Sequence, residues 1–312
     1  MGKKSKPKPV RVKDPQKGAA VRRAVMHTLA VIVFVGLLVG GTRWIKQYVD
    51  HFLVANDRPP RVVIMNRPAW MSDALAAQLV RSIQPTKPYS PFDKQLLVET
   101  VEILGHNPWI RKIYSVRRAY NKQPGDTLEV DCDYRAPIAL VHWEKYYWLI
   151  DTEGVKLPQE FTEQQLPSII KGDDGRLNIR IIEGVSEAPV ESGRKWSGED
   201  LSAAIDMVKL LYGKSYAEEI VRVDVSNFGG RIDRRESQIT LTTRYDTSIR
   251  WGRPINAKDF FIEVPTAQKL ERLEQIWAQY RRVDAGRPWV DIRMDAVTYP
   301  SSEPDSQTNA AR

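Results

Sequence analysis

Among 312 residues there is a single cysteine, Cys132, so no intrachain disulfide can form. Histidine is nearly as scarce. The four present, His27, His51, His106 and His142, pair with no Cys or acid at ligand spacing, and no metal or cofactor is expected. There is no Gly-rich phosphate loop ending in Lys-Ser/Thr and no Gly-x-Ser-x-Gly elbow, so two common enzyme signatures are missing. Internal repeats are absent as well. Charge of one sign is also lacking once the first 23 residues are set aside. They hold nine Lys/Arg against one acid, and the other residues balance 38 basic against 38 acidic. A balanced bulk argues against nucleic acid as a ligand. Nothing in it points to a small-molecule substrate.

What the chain does have begins at its N-terminus. The basic arm, residues 1–23, runs from Lys3, Lys4, Lys6, Lys8 and Arg11 to Arg22 and Arg23. It precedes a charge-free run at 24–42, which as a helix would span roughly 28 Å, close to a bilayer core of ~30 Å. This predicts one transmembrane helix with its N-terminus in the cytoplasm and the bulk of the chain on the other side. Arg43, Trp44, Lys46 and Tyr48 form a cationic and aromatic collar suited to the outer headgroup layer. A signal peptide cut near Gly40-Gly41 is the rival reading. The apolar run exceeds a typical secretory segment, and no small-x-small site precedes a polar start, which favours a retained anchor. Gly36 and Gly40 have the spacing that lets two membrane helices approach, so dimerisation of the anchor is a further reading.

Residues 43–60 read as an extension of the anchor and then a stiff linker ending in Asp57-Arg58-Pro59-Pro60. Across 61–135 the pattern is β-α-α-β-β. A strand at Arg61 to Met65 comes first, then a helix capped by Ser72 with Leu75, Leu79 and Val80 inward. A second helix is opened by Ser90-Pro91 and carries Leu97, Val101 and Leu104 to Gly105. Strands at Ile110 to Tyr120 and Thr127 to Tyr134 flank the turn Gln123 to Asp126. Leu128, Val130, Cys132 and Tyr134 alternate with charges, which puts Cys132 on an apolar strand face as a packing residue.

A mixed β domain with two or more helices is expected over 136–299, making the fold class α+β. Strands at Ile138 to Trp143 and Tyr146 to Ile150 bracket Glu144-Lys145, and Asp151 to Gly154 reverses the chain. The Gly- and charge-rich stretch 171–198 reads as a linker. Ser197 is expected to cap a helix with Leu201, Ile205, Val208 and Leu211 inward. Strands follow at Val221/Val223/Val225, Ile239/Leu241/Thr243/Tyr245 and Ile249/Trp251. Ala267, Leu270, Leu273, Trp277 and Tyr280 line a helix, and Val290 to Tyr299 is the last strand. Residues 300–312 read as a disordered tail.

Asp224, Asp233 and Glu236 are the acids that could pair for glycan cleavage, yet their setting is that of solvated strand and loop residues. The last strand is the candidate functional element. A final strand with no successor exposes unpaired backbone groups that a partner strand can satisfy. Arg293 and Asp295 would set register, with Met294 and Val297 as apolar anchors. Ala296, Tyr299 and Trp251 complete the candidate partner-binding set. On periodicity alone, an ordinary edge protected by its charges is the better reading.

The order of pieces resembles the bacterial cell-division family FtsQ/DivIB. Asn107-Pro-Trp-Ile110, Val116-Arg-Arg118, Leu128-Glu-Val130, Arg135-Ala-Pro-Ile-Ala139, Leu149-Ile-Asp151 with Gly154, and Leu166-Pro-Ser-Ile169 carry it. So do Ile249-Arg-Trp-Gly252, Lys269-Leu-Glu-Arg-Leu273 and Val290-Asp-Ile-Arg293. Met294 stands where that family usually has an aromatic, and Asp295-Ala296-Val297 where it has a small-residue Gly turn. The resemblance implies a POTRA module over 61–135, an FtsQ-type β domain over 136–299, and no enzymatic activity. It also implies a location in the inner membrane at the division septum. The last strand would receive the bitopic coiled-coil partner FtsB, itself paired with FtsL, and the POTRA module would help to recruit the protein, with Arg61 to Met65 as its outer strand. A POTRA-bearing export or assembly factor is the alternative, and a membrane-tethered cell-wall hydrolase using Asp224 and Asp233 a third.

Overall fold

The protein is seen here in a computed structural model that describes residues 15–54, 59–87, 89, 93–119, 121, 125–171, 179–257 and 263–300. The basic residues ahead of position 15, the turn residues 123 and 124, Ser90 and Pro91, and the tail from 301 lie outside the described residues. Among the described residues the fold is α+β, with one apolar N-terminal helix and two sheets.

Helix α1 (Pro15–Val54) continues well past the apolar run, through the extension of the anchor expected ahead of the linker. Its stretch Val25–Val49 is long and apolar enough to cross a membrane, and a signal sequence would meet the same criterion of length and composition. The exposed Trp44 and Tyr48 rings stack one helical turn apart, 5.5 Å between centroids.

Next come β1 (Arg61–Met65), α2 (Asp73–Ile83), α3 (Gln95–Gly105), β2 (Ile110–Ala119) and β3 (Thr127–Tyr134), with the sheet order β1-β3-β2. Ser72 does start α2, since its Oγ accepts the Leu75 amide at 3.2 Å. Helix α3 begins at Gln95, where Asp93 Oδ1 accepts the Gln95 amide at 2.9 Å, later than the Ser90-Pro91 signal suggested. Its inward face is also rotated from the expected one. Leu96, Thr100 and Leu104 are buried while Val101 is exposed, because an apolar residue on a short helix can sit on either side of the stripe. Strand β3 alternates as expected, with Leu128, Val130, Cys132 and Tyr134 buried. Burial, reinforced by Asp131, pushes the Cys132 thiol up to about 11.

By contact density the chain divides into two compact units: residues 1–63, 84–96 and 117–129, and residues 64–83, 97–116 and 130–312. In the first, the Arg61 amide donates to Asp126 O at 2.8 Å and Arg118 donates to the carbonyls of Gly125 and Tyr89. The second holds an eight-stranded sheet. Its elements are β4 (Pro137–Trp143), β5 (Tyr146–Asp151), β6 (Lys156–Phe161), α4 (Leu166–Ile170), β7 (Arg180–Glu183), α5 (Glu199–Leu211), β8 (Ile220–Asp224), β9 (Ile239–Thr243), β10 (Ser248–Gly252), α6 (Thr266–Tyr280) and β11 (Trp289–Asp291). The strand order is β11-β10-β9-β8-β7-β4-β5-β6. The chain corner after β3 is pinned by Arg135, whose guanidinium meets Asp151 at 2.6 Å and Glu153 at 2.8 Å, while Arg111 holds Glu153 at 2.6 Å.

Strand β7 corrects the reading of 171–198 as a linker. It lies between β4 and β8, parallel to both, near the middle of the sheet. Arg180, Ile181 and Ile182 are all buried, so a strand covered on both faces has no polar alternation to reveal it. Register places Trp148, Val141, Ile182, Val223, Leu241, Ile249 and Val290 in one row across seven strands. That row joins one core cluster with Leu201, Ala204, Ile205, Val208 and Leu211 of α5 and with Leu273 and Ile276 of α6. Each fully buried aliphatic of this kind stabilises the fold by about 1.5–3 kcal/mol.

Three further expectations change here. Helix α5 is preceded by Gly198 at φ 130°, not capped by the Ser197 side chain. A Cβ at Gly198 would stand 2.6 Å from Asp200 Oδ1, so glycine is required there. Tyr245 lies beyond β9 and is exposed, because the chain turns at Asp246 with φ 59°. In α6, Lys269 and Arg272 are buried with Leu273 and Ile276, while Ala267 and Tyr280 face outward. The two cations go inward because backbone carbonyls and a carboxylate await them there.

Candidate functional site

The edge of the large sheet where β11 lies is built by a β10-α6-β11 crossover that returns the chain parallel to β10. Strand β11 is much shorter than the expected Val290 to Tyr299. After Asp291 the chain bends through 293–296 and returns so that Thr298 bridges Asp291, with N–H···O distances of 2.9 and 3.0 Å. The outward backbone groups of Asp291 are thereby used internally, and the Arg293 carbonyl accepts the Val264 amide at 2.9 Å. An edge strand that folds its own tail back in this way limits indiscriminate pairing.

Two buried cations on α6 organise this edge, and one of them, Arg272, holds the bend. Lys269 Nζ donates to the Trp251 carbonyl at 2.8 Å and to Glu263 Oε2 at 2.6 Å. Burial lowers the Lys269 pKa, and Glu263 works against that. Arg272 donates from Nη1 to the Ile292 carbonyl at 3.1 Å and to the Met294 carbonyl, and from Nη2 to the Asp295 carbonyl. Neither residue belongs to the apolar stripe the sequence pattern picks out on this helix. Their three-residue spacing puts both on one helix face, and both lie in the Lys269-Leu-Glu-Arg-Leu273 piece, but neither signal marks them as buried.

The seven candidate residues divide. Met294, Asp295 and Ala296 are exposed at the tip of the bend, Met294 to 49%. Arg293 is only partly exposed. It chelates Asp291, with Nε to Oδ1 at 3.0 Å and Nη2 to Oδ2 at 2.6 Å, and donates from Nη1 to the Arg235 carbonyl at 2.9 Å. Its charge is therefore engaged within the chain. Burial works to raise the Asp291 pKa, but the Arg293 hydrogen bonds outweigh it and the carboxyl lies below its ordinary value. Val297 and Tyr299 are half-buried and pack against the core cluster, so of the two expected apolar anchors Met294 is exposed and Val297 is not. Trp251 departs furthest from expectation. It is fully buried, donates to the Arg253 carbonyl at 3.1 Å, and presents no surface to a partner. A strand pattern ending in a large aromatic looks the same whether the ring faces core or solvent.

The acids considered for glycan cleavage serve local structure. Asp224 Oδ1 accepts the Ser226 amide at 2.8 Å, Asp233 Oδ1 accepts the Arg235 amide at 2.9 Å, and Glu236 lies 3.9 Å from Arg250. His142 stacks on Tyr147 at 4.5 Å, and His106 bonds the Glu102 carbonyl at 2.8 Å. No model of a known protein family matches the chain, and no curated protein matches it.

Proposed function

We propose that this chain is a non-catalytic, single-span scaffold of the bacterial division machinery, of the FtsQ/DivIB kind. The observation that carries this reading is the exposed Met294–Ala296 bend at the terminal edge of a large sheet, in a chain that begins with a membrane-length apolar helix. In this reading α1 crosses the inner membrane, with its basic arm in the cytoplasm and the rest outside, at the septum. The order β-α-α-β-β at 61–134 fits a POTRA module that helps to recruit the protein. The closing segment captures an FtsB-type bitopic partner, itself paired with an FtsL-type one, through the exposed bend with Met294 as an apolar anchor, and not by pairing with the Asp291 backbone, which Thr298 already satisfies. Tethering to the same membrane raises the effective concentration of partners, so weak contacts suffice.

Met294→Asp tests this. The variant should insert and melt like the parent yet lose most of its capture of an FtsB-type partner in a pull-down. A fluorescent fusion should gather at the septum of dividing cells. Unchanged capture by the variant, or fluorescence spread evenly round the membrane, refutes the reading. Capture of many unrelated extended peptides would instead favour an export or assembly factor.

A further inference from the structure

We infer that Arg272 is the positioning residue of the docking segment: its buried guanidinium shapes the 292–295 backbone and so presents Met294, Asp295 and Ala296 outward. This rests on the docking reading given above. Arg272 is 8% exposed, and its fork donates to the carbonyls of Ile292, Met294 and Asp295. Those three carbonyls belong to a bend with no ladder to hold them, immediately after the last strand residue.

The chemistry of the side chain suits the task. A guanidinium is planar and offers five N–H donors in a fixed fork, so three oxygens converging on it are held at fixed mutual angles. A lysine ammonium is a compact point charge on a flexible stem and imposes no such angles. The exposed bend has water on its outer side, which could hydrate stray carbonyls without any arginine. What the arginine adds is one geometry in place of many. Two consequences follow from that geometry. The chain returns for Thr298 to meet Asp291, and Met294, Asp295 and Ala296 are left facing solvent. Lys269, one turn earlier on α6, fixes the neighbouring Trp251 carbonyl and Glu263, so the bend is seated on an already rigid support.

The test uses the full chain in detergent with Arg272→Lys, Arg272→Met and Met294→Asp, read by hydrogen exchange and by capture of an FtsB-type extracytoplasmic segment. Arg272→Lys and Arg272→Met should each speed exchange of the Thr298 amide and weaken capture about tenfold or more, the scale of one lost charge-assisted hydrogen bond. Exchange in the β8–β9 pairing should stay at parental rates. If Arg272→Met loosens the whole domain, Arg272→Lys decides, since it keeps charge and bulk while removing the fork. Parental exchange at Thr298, or parental capture by Arg272→Lys while Met294→Asp abolishes capture, overturns the inference and leaves the docking reading intact. Failure of the unaltered chain itself to capture the segment refutes the docking reading. The positioning claim then stands or falls on Thr298 exchange alone.

Discussion

Ile182→Ala probes the central strand that the sequence hides. Ile182 is fully buried in β7, with Val141 of β4 and Val223 of β8 beside it in the same row. The substitution removes three carbons, a transfer loss of about 2.4 kcal/mol at ~0.8 kcal/mol per methylene. A void of roughly 75 Å³, if unrelaxed, adds about 1.8 kcal/mol at ~24 cal/mol per Å³. Neighbours on both sides are strands locked in a ladder, so relaxation is limited and the expected loss is about 3–4 kcal/mol. At roughly 2–4 °C per kcal/mol for a domain of this size, Tm should fall by about 6–16 °C. The assay is a thermal melt of the full chain in detergent, followed by circular dichroism. Ile232→Ala is the control, because Ile232 is 73% exposed and its truncation should stay within about 0.5 kcal/mol. If the two variants melt together, residues 180–183 are not a central strand and the sheet order is wrong.

Acid titration should expose Asp284. This carboxylate is fully buried; burial works to raise its pKa, but bonds from Arg282, Thr247 and the Gly286 amide outweigh that and hold it below its ordinary value. A depressed carboxyl adds stability that is full above the unfolded pKa of about 3.9 and is lost as pH falls through the folded value. Asp284→Asn should therefore lower Tm at neutral pH and flatten part of the acid limb of a Tm-against-pH curve. A variant curve parallel to the parent's would refute it. Cys132 should resist a maleimide in the native protein at pH 8 and react on unfolding in guanidinium, because burial and a raised pKa both suppress the thiolate. Prompt native labelling would show that β3 does not cover it. The Met294 and Arg272 variants complete the set.

Legibility from sequence followed exposure to water on one face or, as in β4 with Ala139, Leu140 and Val141 all buried, an apolar run closed by a turn. Strand β3 could be read because one face is core and the other charged, which forces alternation. Strand β7 could not, since both of its faces are covered and its neighbours in sequence are glycines and charges. On α6 the periodic apolar pattern pointed to Trp277 and Tyr280, but the chain placed Arg272 and Lys269 inside. Hydropathy ranks a cation as exposed, whereas a fork of carbonyls can make it a buried one. At the proposed docking segment, the sequence marked the region 293–299 but not its shape.

What the amino-acid order alone determined is the one-dimensional layout: a membrane-length apolar helix, a β-α-α-β-β stretch, and strands where one face is wet or a turn closes an apolar run. These follow from contacts close in sequence and from the periods of helix and strand. Tertiary structure alone decided which strand lies in the middle, which of Trp251 and Met294 meets solvent, and that Arg272 shapes the bend. Each of those depends on groups brought together from distant positions, 22 residues apart for Arg272 and Met294. No local pattern records such a meeting.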